Sequence, residues 1–272
     1  MIDHLWALPM LAIVFALGAS IGSFANVVIY RLPAGRSLLH PPSRCPHCGH
    51  TLGKGENIPV LGWLRLKGRC AHCHAPISPR YPIVEAVTGL LFLGVFLRYQ
   101  VSLTTFGYWL FLTGLLILAL IDWDTMILPN PLTRLGVISG LLYHCLQGWQ
   151  GDSAIGGLMQ GIFGAVLGIW LVDAVRFLGS LAWGKETMGA GDGKLLAAIG
   201  AWLGPGLMVI SGFLGAFLGA VIGTGAIALG LLRRSQPMPF GPFLALGGAI
   251  AAIWGETLLK LYLEIFFPAG VL

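Results

Sequence analysis

Two acidic residues stand where acids are costly. Asp122 closes the apolar run Thr105–Ile121 and is followed by Asp124. Asp192 lies in the turn Gly189-Ala190-Gly191-Asp192-Gly193-Lys194, directly before the apolar run Leu195–Leu203. A carboxylate at a bilayer boundary is a functional-site candidate by default. Two aspartates that share a site can split the work of peptide hydrolysis without a metal. One, ionised, takes a proton from water; the other, protonated, polarises the scissile carbonyl. Glycines on both sides of Asp192 permit unusual backbone geometry and the close approach of an extended strand. The same acids could instead cap helices, or ligate a coupled ion in a transporter. Spacing alone does not choose between Asp122 and Asp124 as the partner of Asp192.

A second cluster points to a metal. Cys45-x-x-Cys48 and Cys70-x-x-Cys73, 21 residues apart, have the spacing of a four-thiolate zinc knot. Paired disulfides are disfavoured in a reducing cytoplasm. His47, His50, His72 and His74 flank the cysteines, and four thiolates already complete a tetrahedron. Cys145 sits in an apolar run and reads as a small buried hydrophobe.

The elements that must position these groups are membrane helices. Of 272 residues, 56% are hydrophobic and 10% charged, against about 25% charged in soluble domains. The fold class expected is an all-α polytopic membrane protein. Its eight transmembrane segments are placed at Leu5–Ile29, Ile83–Leu97, Thr105–Ile121, Pro131–Leu146, Ile155–Phe177, Lys194–Leu203, Gly206–Leu232 and Phe240–Phe266. The N-terminal apolar run lacks a basic leader segment and reads as a retained first span. Residues 1–30 form that helix, residues 31–82 a small zinc-ribbon-like insertion, and residues 83–272 the membrane-embedded core. The insertion holds eight of the 16 Lys and Arg residues and one acid, Glu56. Positive-inside reasoning places it in the cytoplasm. Alternating the spans from there brings Arg134, Arg176, Lys185 and Arg233-Arg234 to the same side, and sets Asp122 and Asp192 at the cytoplasmic ends of their spans. The basic charge suits anionic lipid headgroups; a membrane-tethered nucleic-acid module would leave both acids unexplained.

With these residues in hand, the chain resembles a known family. Gly189-Ala190-Gly191-Asp192 matches the G-x-G-D motif of intramembrane aspartyl proteases, the group that includes presenilins. The whole ordered set resembles the type IV prepilin peptidases. It comprises Gly22-Ser23-Phe24-Ala25-Asn26, the paired cysteines, Asn57-Ile58-Pro59-Val60-Leu61-Gly62-Trp63, Ile77-Ser78-Pro79-Arg80-Tyr81-Pro82, Asp122-Trp123-Asp124 through Leu128-Pro129-Asn130, and Pro239-Phe240-Gly241-Pro242. The resemblance implies that Asp122 and Asp192 are the catalytic pair, with Gly189, Gly191 and Lys194 as supporting motif residues. It implies a bacterial inner-membrane enzyme that cleaves the basic leader of prepilins and pseudopilins after a glycine, at the cytoplasmic face. It also implies N-methylation of the new terminus with S-adenosyl-L-methionine. The zinc held by Cys45, Cys48, Cys70 and Cys73 is then structural, and no nucleic-acid partner is expected. Glu85, at the mouth of the second span, is a methyl-transfer candidate; its plainer role is an ion pair with Arg80 or Arg31. The alternatives are a peptidase without methyl transfer and an ion-coupled transporter that uses the same acids.

Overall fold

The computed structural model describes residues 3–151, 153–184, 188–233 and 236–266. Lys185 and Arg234, used in the charge argument, fall outside them. Among the described residues there are eight helices and no strands. The order is α1 (Asp3–Arg31), α2 (Leu61–Arg65), α3 (Arg80–Tyr99), α4 (Leu103–Thr125), α5 (Asn130–Gln150), α6 (Ala154–Trp183), α7 (Ala190–Ala228) and α8 (Gly241–Phe266). Six of them, α1, α3, α4, α6, α7 and α8, are long and apolar enough to cross a membrane. The chain is therefore a multi-pass membrane protein. The helix α5 carries Arg134, His144, Gln147 and Gln150, which lower its apolar character.

The chain falls into two compact units, Met1–Thr113 and Gly114–Leu272. In the first, α1 lies against α3 through small residues. A methyl group at Gly18 would come within 2.7 Å of the Phe92 side chain, and one at Gly22 within 2.8 Å of the Glu85 backbone. Close helix contact of this kind drives association in lipid, where apolar side chains gain little by leaving acyl chains for one another. Asn26 adds a polar tie, its Nδ2 donating to the Tyr81 carbonyl at 3.1 Å. Val14, Phe92 and Phe96 form a buried cluster, and Trp109 stacks on Phe92 with ring centroids 4.5 Å apart.

In the second unit α7 is the central element, packed by α5, α6 and α8. The backbones of Gly164 in α6 and Gly200 in α7 leave no room for a side chain on either. The segments expected as separate spans, Lys194–Leu203 and Gly206–Leu232, run on as one element broken at Gly204. There φ is 74° and ψ is 176°, directly before Pro205. Only glycine takes that conformation readily, and proline supplies no amide to continue the ladder.

Candidate active site and metal knot

Asp122 sits in the last turn of α4 and Asp192 in the first turn of α7. Both are buried, at 5% and 7% exposure, and they are close enough to feel each other's charge. Each carboxylate is aimed by a backbone amide from a different loop. The Gly241 N–H, which opens α8, donates to Asp122 Oδ2 at 2.9 Å. The Gly189 N–H donates to Asp192 Oδ2 at 3.1 Å, so Asp192 also closes the N-terminal turn of its own helix. Among the described residues each carboxylate spends one oxygen this way, which leaves the other to face water or a carbonyl.

The glycines of the turn are explained by what they approach. A methyl group on Gly191 would lie 3.1 Å from the buried Leu128 side chain, and one on Gly189 would lie 3.3 Å from Asp192 Oδ2. Lys194 turns to Asn130, its Nζ donating to Oδ1 at 2.7 Å, and so ties the start of α7 to the start of α5. Pro129, extended at ψ 126°, ends the connection that leads from Asp122 to α5. Asp124 lies in the same last turn as Asp122 but is exposed. The amide of Gly241 was not foreseen as a partner of Asp122. The sequence signal was there in weak form, a Gly-Pro pair opening an apolar helix, but nothing in it says which acid that amide will meet, 119 residues away.

The four cysteines meet. Cys45 Sγ lies 3.8 Å from Cys73 Sγ and Cys48 Sγ lies 3.9 Å from Cys70 Sγ. All four sulfurs fall within 4.8 Å of one another. Sulfurs about 2.3 Å from a tetrahedral zinc stand about 3.8 Å apart, so the cluster can hold a metal ion. The two halves repeat one design. The Cys45 and Cys70 amides bond to the carbonyls of His50 and Ala75, and their carbonyls accept from Gly49 and His74. Gly49 and His74 occupy the equivalent left-handed position, at φ 72° and 57°. The Cys45 thiol is lowered to about 7 from 9.0, first by the Cys48 amide and then by that of His47. The Cys70 thiol is lowered in the same sense by the amides of Cys73 and His72. Amides pointed at sulfur favour the thiolate, the form that binds metal, at these two positions; at Cys48 the His50 amide acts in the same sense, but burial and the neighbouring thiols push the thiol up to about 12. The rings of His50 and His72 stack on each other at 5.3 Å, and His50 Nε2 lies 3.5 Å from Glu56. Among the described residues, the metal-binding cluster is made of the cysteines alone.

The first unit also has a half-open cavity of about 270 Å³ between the ends of α1 and α3 and the cysteine segment. Its lining mixes arginines, two carboxylates and aromatic rings, and the buried Cys45 and Cys70 form part of its wall. Glu85 opens onto it.

Two buried aspartates on membrane helices of one unit, in a chain whose other unit carries a four-thiol knot, fit a membrane-embedded hydrolase class. The comparisons with known proteins narrow it. The model of the bacterial peptidase A24 N-terminal domain matches residues 16–99, and that of the type IV leader peptidase family matches residues 109–224. The chain is 39% identical to the prepilin leader peptidase/N-methyltransferase of Aeromonas hydrophila, over 94% of both chains. It is 36% identical to that of Stutzerimonas stutzeri, over 91% of this chain and 92% of the relative. It is 35% identical to that of Pseudomonas aeruginosa, over 97% and 98% respectively. No solved structure gives a significant match. The chain belongs to the type IV leader peptidase family and is an enzyme.

Proposed function

We propose that this enzyme removes the basic leader of type IV prepilins and pseudopilins with Asp122 and Asp192, and then N-methylates the exposed terminus with S-adenosyl-L-methionine. The observation that carries the cleavage is the aspartate pair itself, two buried carboxylates from different helices, each held by its own loop amide. One carboxylate, ionised, takes the proton of the attacking water. The other, protonated, hydrogen-bonds the scissile carbonyl and later returns a proton to the leaving amine. The Gly189–Gly193 turn lets the substrate backbone approach, and Lys194 holds that turn against Asn130. Methyl transfer follows from the close full-length relatives, whose names carry both activities.

Cys45, Cys48, Cys70 and Cys73 hold a zinc ion. Four protein ligands fill the tetrahedron, which makes the ion structural rather than catalytic. The setting is the bacterial inner membrane, with the cysteine segment and the aspartates facing the cytoplasm. Eight Lys and Arg residues between Arg31 and Arg80 support that orientation.

Replacing either aspartate by asparagine keeps size and burial but removes the acid–base function. Asp122→Asn and Asp192→Asn are each expected to lower leader removal by about 10³-fold or more in a reconstituted prepilin assay, with thermal unfolding unchanged. Cleavage at the wild-type rate by either variant overturns the assignment.

A further inference from the structure

The outer end of α8 stands apart from its bundle. The buried residues of this helix end at Gly255, and every residue from Glu256 to Phe266 is exposed. The cause lies in α7. Beyond its break at Gly204, α7 runs back along α8 in the opposite sense, so that Gly215 lies against Leu244, Gly247 against Ser211 and Gly255 against Leu207. Leu207 is the third residue after the break. Residues 256–266 therefore extend past the point where α7 turns, and α7 does not cover them.

That end carries charge at a depth where charge is costly. The bond from the Gly241 amide fixes the start of α8 beside Asp122, in the last turn of α4. At 1.5 Å per residue, Glu256 stands about 22 Å along the helix from Gly241 and Lys260 about 28 Å. Glu256 thus lies inside about 30 Å of hydrocarbon and Lys260 near its far edge. Charged side chains in such positions are rare, and they normally face a partner or a water-filled space. A lysine can extend its stem to the interface, whereas a glutamate is too short to do so. Both residues are exposed, and among the described residues no ion pair joins either one to the rest of the chain.

We propose that this face of α8 pairs with the same face of a second copy of this chain, Glu256 of each copy meeting Lys260 of the other. Two copies inserted in the same sense set their α8 helices in parallel about a two-fold axis normal to the membrane, so the face must be complementary to itself. An acid and a base one helical turn apart meet that condition. Side chains lean toward the N-terminus of their helix, which brings the Lys260 stem down to the level of Glu256 on the neighbouring helix. One contact thus generates two ion pairs, and each takes an unmatched charge out of lipid. Leu259 and Leu263, exposed on the same side of the helix, pack around the pairs.

The test uses full-length protein in lipid vesicles, labelled with donor and acceptor dyes in separate preparations, and follows association by energy transfer as added lipid dilutes the protein. Glu256→Lys and Lys260→Glu each set like charges across the contact. Each is expected to weaken self-association at least tenfold, with leader removal and thermal unfolding unchanged. Mixed with each other, the two variants carry complementary faces and should associate as the wild type does. Loss in both variants without that rescue overturns the pairing, because an ion pair inside one helix cannot be restored by a second copy. A wild type that stays monomeric at every lipid ratio overturns the proposal, and so does association that neither reversal weakens. If a reversal fails to fold, Glu256→Gln and Lys260→Gln take its place. Weaker association then supports the contact, and wild-type association overturns it.

Discussion

A methyl group placed on residue 241 would lie 2.6 Å from Asp122 Oδ2 and 3.0 Å from its carboxyl carbon. Something must shift, and the carboxylate is the movable part. Gly241→Ala is therefore expected to displace Asp122 and lower leader removal by about 10²-fold, the usual cost of misplacing a catalytic group by about 1 Å. Gly225→Ala, where a methyl group meets nothing within 4 Å, serves as the control and should cleave normally. Quantitative gel assays of leader loss on both variants check this. The metal knot offers a test of a different residue-scale rule. Gly49 and His74 share the left-handed conformation, which costs a side-chain-bearing residue about 1–2 kcal/mol. His74→Gly should keep zinc and gain stability, whereas Gly49→Val should lose it to a chelator at lower concentration than the wild type.

At the scale of elements, the break in α7 and the cysteine segment each carry a prediction. Gly204 sits at φ 74° and ψ 176°, so Gly204→Ala is expected to cost about 1–3 kcal/mol, read as a lower unfolding temperature in detergent. The cysteine segment forms part of the cavity wall through Cys45 and Cys70, so stripping the metal is expected to loosen that wall, read as faster proteolysis between residues 31 and 82. Zinc uptake should also depend on pH in a stated sense. The Cys45 thiol is lowered from 9.0 to about 7, so above about pH 7 it is already ionised and gives up no proton. Below that pH it must be deprotonated by the metal. Zinc binding is thus expected to release more protons at pH 6 than at pH 8.5, measured by calorimetry in buffers of different ionisation enthalpy.

These elements also mark what the chain reveals before it folds. The apolar runs, the C-x-x-C spacing and the G-x-G-D turn are local patterns, and each reads directly as a helix, a metal knot or a glycine-flanked acid. The gap between the expected sixth and seventh spans is the Gly204–Pro205 break, legible because glycine and proline punctuate helices wherever they fall. That α7 continues across it depends on packing by α5, α6 and α8, which no local pattern encodes. The turn at Val60, with φ 62° and ψ −54°, was hidden for the opposite reason. A β-branched residue argues against positive φ, and in the fold the Val60 amide is spent on Glu85 Oε2 at 2.7 Å. The pairing of Gly241 with Asp122 joins residues 119 apart, a separation that a single sequence does not bridge.

At the scale of the molecule, the aspartates and the cavity lie in different units. The aspartates belong to residues 114–272 and the cavity to residues 1–113. Cleavage needs an acid–base pair, whereas methyl transfer needs a donor held beside an amine and no such pair. Inactivating one should therefore leave the other intact. Asp122→Asn is expected to bind S-adenosyl-L-methionine as the wild type does and to methylate a synthetic peptide that already bears the mature pilin N-terminus, while failing on the full prepilin. The failure on prepilin arises because no free amine is produced, not because transfer is impaired. Mass spectrometry of both substrates with one enzyme preparation separates the cases. If Asp122→Asn also loses methylation of the pre-cleaved peptide, with its fold intact by thermal unfolding, then the dyad takes part in both reactions and their independence fails.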